Sequence, residues 1–191
     1  YGSGSTSGAL LLQTPNAGTN GVSGYMVLST GVSTEGNSGA MYVGSGDAIS
    51  GRGGSISIGV GSGDSGAGGE LIFSAGSTAV AEYGGSVSIK TGNSETKTSG
   101  ALLLYTANSG STGGSSGLLV LSTGTSSKGN SGAVYVGAGT ASSGRSGHIY
   151  VTVGSGNSGS GGELVLSGGN SPVHSGGRVV INTGTGSTTT S

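Results

Sequence analysis

The sequence predicts an all-β protein: a β-solenoid, or parallel β-helix, with about 15 residues per coil and twelve coils in two six-coil modules. Three observations predict it. A glycine recurs at a near-constant interval along the chain, each such glycine is followed by a period-two apolar alternation, and six of these units together repeat once. A fixed short period signals a repeat architecture, and period two signals a strand.

The leading glycines are Gly8, Gly24, Gly39, Gly54, Gly69, Gly85, Gly100, Gly117, Gly132, Gly147, Gly162 and Gly177, spaced 15 to 17 residues apart with 15 the commonest interval. Counting each as position zero, position two holds Leu10, Met26, Met41, Ile56, Leu71, Val87, Leu102, Leu119, Val134, Ile149, Leu164 and Val179. Position four holds Leu12, Leu28, Val43, Ile58, Phe73, Ile89, Leu104, Leu121, Val136, Val151, Leu166 and Ile181. Alternate residues of a strand share a face, so these two columns are expected to form the inner wall, stacked coil on coil at about 4.8 Å. A rod on the order of 55 Å would result, with a module repeat of roughly 29 Å.

The remainder of each unit is rich in Gly, Ser and Thr. Position seven is Gly in ten of the twelve units, the exceptions being Pro15 and Ala107, and is expected to be a tight corner needing positive φ. Position nine holds only Ala, Ser, Gly or Thr, from Ala17 to Gly186, and is expected to face inward against the apolar wall. Right-handed winding is the expectation for parallel crossovers, and no helical periodicity occurs.

Position three points away from positions two and four, where an exposed sheet would carry polar side chains. It instead holds Leu11, Val27, Tyr42, Ile72, Leu103, Val120, Tyr135, Tyr150, Val165 and Val180, interrupted only by Ser57 and Ser88. Strand propensity explains Val, Ile and Tyr wherever they point, but Leu11 and Leu103 have no such preference. An apolar strip on a second face marks an interaction surface. These ten residues are the expected assembly face, for lateral packing against another copy or a partner.

The second period relates Ser38 onward, SGAMYVGSGDAISGRGG, to Ser131 onward, SGAVYVGAGTASSGRSG. The resulting domain reading is residues 1–7 as the end of a preceding repeat, 8–99 as the first six-coil module and 100–191 as the second, in one continuous solenoid. A start inside a module tail and a stop where the next Gly would fall lead us to expect a segment of a longer periodic chain. Neither end shows a capping element, which solenoids need if they are to stay monomeric, so a free-standing monomer is not expected.

Composition narrows the function classes. Gly is 47 of 191 residues, the formal net charge is −1 and only 7% of residues are charged. A chain with so little charge carries no electrostatic footprint for nucleic acid or membrane surfaces. No cysteine is present, so neither a disulfide framework nor a thiolate metal site arises. No run approaches the roughly 18 apolar residues of a membrane-spanning helix.

No constellation carries chemistry. GSGDSGAG, 61–68, matches calcium-binding nonapeptide repeats only superficially, because the period is 15 and Asn157 stands where Asp64 stands in the first module; turn chemistry accounts for both. His148 and His174 have no ligand-spaced partners. No serine has a recognisable base, and the seven acidic residues are too scattered for the paired carboxylates of a glycosidase. The expectation is therefore no enzyme, no cofactor and no metal. Glu70 with Glu163 and Arg52 with Arg145 are module equivalents that would form at most weak surface pairs. No Asn-x-Ser/Thr sequon occurs, whereas the dense Ser and Thr of the corners are compatible with O-linked glycans.

The consensus visible in GNSGAVYVGAG and GSGNSGSGGELVLSGG resembles the Gly/Ser/Thr-rich tandem repeats of large extracellular surface and adhesive proteins, notably those of microalgae such as diatoms. The resemblance spans essentially the whole chain and implies a secreted fibrous component of mucilage, wall or appendage. With the repeat, it leads to the expectation of an extracellular structural protein that forms a fibre or filament, self-assembling laterally and end to end. The alternatives are an adhesive surface module and an ice-binding solenoid. For the latter, position six holds Thr14, Thr30, Thr91, Thr106, Thr123 and Thr183, but Val60, Ala75, Ala138, Val153 and Gly168 break the array, and its parity points it inward.

Overall fold

A computed structural model describes residues 7–79 and 82–186. Residues 1–6 of the expected preceding-repeat segment, and the last five residues of the second module, lie outside the described residues. By spatial clustering the chain divides into two units, Tyr1–Gly92 and Asn93–Ser191; the division falls within the sixth sequence unit, whereas the module boundary read from the repeat is at its end.

The described residues contain no helix and no strand. The expected all-β solenoid of twelve coils is therefore corrected: the apolar alternation is present, but no ladder joins one coil to the next. The contacts at the leading glycines show why. Stacked coils would bring together residues one full period apart, such as Gly39 with Gly54. Instead each contacted leading glycine meets position six of the preceding unit, nine to eleven residues earlier in the chain, joined at Gly85 and Gly177 by the adjoining position-seven glycine. One side chain touching one glycine closes a local loop, and it leaves the flanking backbone without the repeated N–H to C=O pairing that defines a sheet.

Each unit thus consists of an arm, positions zero to six, and a loop that returns to the next glycine. In Tyr1–Gly92 the closures are Thr14 on Gly24, Thr30 on Gly39, Ser45 on Gly54, Val60 on Gly69, and Ala75 with Gly76 on Gly85. In Asn93–Ser191 they are Thr106 on Gly117, Thr123 on Gly132, Ala138 on Gly147, Val153 on Gly162, and Gly168 with Gly169 on Gly177. At Gly85 and Gly177 the closure is a backbone hydrogen bond, the Gly85 N–H donating to Gly76 O at 2.9 Å and the Gly177 N–H to Gly169 O at 2.8 Å.

The corners do not lie at position seven. The chain bends ten to twelve residues after the leading glycine, at 34–36, 49–51, 64–66, 95–97, 127–129, 142–144, 157–159 and 172–174. Gly66 and Gly159, at position twelve of equivalent units, have φ of +83° and +90°, and Asn20 at the same position has φ of +64°. These are left-handed conformations that Gly and Asn adopt most readily. None of the position-seven glycines among the described residues has positive φ, so they continue the chain out of the arm rather than turn it.

Position nine belongs to the corner, not to an inner wall. The Lys97 N–H donates to Ser94 Oγ at 2.9 Å and the His174 N–H donates to Ser171 Oγ at 3.0 Å. In both, the position-nine hydroxyl accepts from the backbone three residues on, a turn that serine favours for this reason. A methyl group on Gly36 or Gly129 would lie 3.5 or 3.4 Å from Ser33 Oγ or Ser126 Oγ. Small residues at this position are explained by local turn geometry.

No described residue is buried. The accessible surface is 19,391 Å², against about 7,900 Å² for a compact 17.7 kDa monomer and about 25,700 Å² for its extended chain. The expected inner columns are open accordingly: Met26 and Leu71 are 50% exposed, and Val43 is 74% exposed. The described side chains line no interior.

Candidate self-association surface

Two sets of residues recur often enough to form a functional surface: the apolar arms and the closures that join them. The ten residues of the expected assembly face are all exposed, from 53% at Val180 to 94% at Tyr42. Leu11, Val27, Ile72, Leu103, Val120, Tyr135, Tyr150 and Val165 lie between these limits. The structure does not gather them into one packed patch. They are displayed at one phase of each repeat, beside the half-exposed residues of position two. On most arms position two is the more sheltered column, as at Met41 against Tyr42 and Val134 against Tyr135.

The closures are made by residue types suited to extended backbone. Thr14 Oγ1 donates to Gly24 O at 3.2 Å, Thr30 Oγ1 to Gly39 O at 3.0 Å, Ser45 Oγ to Gly54 O at 2.9 Å and Thr106 Oγ1 to Gly117 O at 3.2 Å. Val60 and Val153 fill the same place by van der Waals contact. A methyl group replacing a hydrogen of Gly69 would lie 2.7 Å from Val60 Cγ1, and one on Gly162 would lie 2.6 Å from Val153 Cγ1. The glycine is thus required by space: its partner occupies the volume a side chain would need.

Position six is also where the chain shelters itself most. Only five described residues are half-buried, and four of them, Thr14, Thr91, Thr106 and Gly168, are at this position; the fifth is Ser171 at a corner. The latch between position six and the next leading glycine is not visible in composition; its one sequence signal is that position six keeps its place six residues after a leading glycine, while the loop beyond it takes up the differences in unit length.

The remaining chemistry-bearing residues stay apart. Asp64 begins the 64–66 corner that ends at positive-φ Gly66, which agrees with turn chemistry. The rings of His148 and Tyr150 meet with centroids 5.8 Å apart at 59°, a tilted contact between neighbours on one arm. Among the described residues no group of three or more His, Cys, Asp or Glu could hold a metal ion, and no helix is long and apolar enough to cross a membrane.

No family model matches the chain, and neither a curated protein nor a solved structure matches it.

Proposed function

We propose that this chain is an extracellular structural protein whose repeated arms associate with those of further copies to form a filament or matrix. The observation that carries this reading is the accessible surface, 19,391 Å², which exceeds that of a compact chain of this mass by about 11,000 Å². Stable association needs only about 1,200–2,000 Å². The excess includes Leu, Ile, Val and Tyr side chains at the same phase of nearly every arm, so any arm of one copy offers the pattern that any arm of another requires. With a formal net charge of −1, copies do not repel one another at long range.

The extracellular placement and the fibrous role follow the resemblance to Gly/Ser/Thr-rich surface and adhesive repeats. Ser and Thr at the exposed corners suit O-linked glycans, which would keep one side of each unit solvated. An adhesive module uses the same exposed arms against a foreign surface. Ice binding has less support, because Thr14, Thr30 and Thr106 direct their hydroxyls to glycine carbonyls.

Sedimentation of the full chain over a range of concentrations, followed by electron microscopy, tests the proposal. The expected result is fibres or sheets above a critical concentration. Substituting Tyr42→Lys, Ile72→Lys, Tyr135→Lys and Tyr150→Lys is expected to raise that concentration by about tenfold or more, because each removes apolar area and adds like charge. A chain that stays a monodisperse 17.7 kDa particle would overturn the reading.

A further inference from the structure

We propose that each unit is an extensible loop held shut by its position-six residue on the next leading glycine, so that the chain lengthens elastically under load, one loop at a time. Association between copies is not needed for this behaviour, which resides in a single chain.

Among the described residues ten closures recur, five in each spatial unit: eight are made by the position-six side chain and two, at Gly85 and Gly177, by the backbone of the position-seven glycine together with position six. Their chemistry varies while their place does not: a hydroxyl to a carbonyl at Thr14, Thr30, Ser45 and Thr106, and a methyl against a glycine at Val60 and Val153. A role that accepts a hydrogen bond, a van der Waals contact or a backbone bond is a mechanical one. Chemistry at a site would require one group throughout.

Independence of the loops follows from the absence of a core. With no described residue buried, opening one closure exposes no interior shared with its neighbours, and the cooperative rupture of a globular domain has no basis. Each loop spans nine to eleven residues, and a nine-residue segment pulled straight reaches about 30 Å. The positive-φ corners at Gly66 and Gly159 bias their own two loops to return when the load is removed.

Stretching single tethered full-length chains in an optical trap tests this. The latch variant carries Gly54→Val, Gly69→Val, Gly117→Val and Gly162→Val, where an added side chain meets Ser45, Val60, Thr106 and Val153 within 3.3 Å. These four glycines lie outside the left-handed region, so valine occupies the latch space without straining the arm. The control carries Gly44→Val, Gly59→Val, Gly137→Val and Gly154→Val, where nothing lies within 4 Å.

Wild type and control are expected to lengthen reversibly at low force in increments of about 25–30 Å. The latch variant is expected to lose the increments of its four closures, cutting the low-force lengthening by about 100–120 Å. A latch variant that behaves as wild type, a control that loses as much as the latch variant, or release of a whole unit in one step would each overturn the proposal.

Discussion

At Thr30 one methyl and one hydroxyl do two tasks: the methyl lies against Gly39 and the hydroxyl donates to its carbonyl at 3.0 Å. Thr30→Val keeps the first and removes the second. An exposed neutral hydrogen bond contributes about 0.5–1 kcal/mol, so the loop should open several-fold more often. The 13C shift of the Gly39 carbonyl is the readout, and it should move toward its random-coil value, whereas Val60→Thr should leave its own loop closed. An unchanged Gly39 shift would remove the hydroxyl from the account. Gly66 makes the complementary case, because φ of +83° is strained for any side chain.

The corner is the element in which side-chain and backbone requirements coincide. Ser94 and Ser171 accept the amides of Lys97 and His174, and the bend occupies the intervening residues. Ser171→Ala should therefore speed amide hydrogen exchange at His174 several-fold while leaving Gly177, whose N–H donates to Gly169, unchanged. Equal acceleration at both would show that the corner and the closure are one cooperative element. The position of the corner was only partly legible in the sequence. Gly at position seven looked like the turn because glycine is the commonest left-handed residue, yet the turn follows position nine, whether that is Ser94 or Ser171, with a hydroxyl that accepts the amide three residues on, or Ala48 or Gly63, without one.

For the whole chain, the decisive quantity is area. Unfolding from 19,391 Å² to the extended chain exposes about one third of what a compact domain of this mass would expose. The urea dependence of any transition should be correspondingly shallow, with a slope about one third of that expected for 191 residues. Dilute samples should show no cooperative calorimetric peak. A steep, cooperative transition in a dilute sample would mean that the arms have found a shared core, contrary to their exposure.

The sequence by itself determined the period, the twelve arms, the apolar residues each arm displays and the six-unit repeat, because all of these are spacings along one chain. Only the tertiary structure decided which phase of the repeat meets which. Alternation specifies that Val134 and Val136 share a face but not what covers it, and a glycine every 15 residues is equally consistent with stacking on the next glycine or closing on a residue nine before it. The described chain takes the second course at Gly54, Gly69 and Gly162, since a bare glycine is the one residue that leaves room for Ser45, Val60 and Val153. That local fit leaves Tyr135 and its counterparts open to solvent.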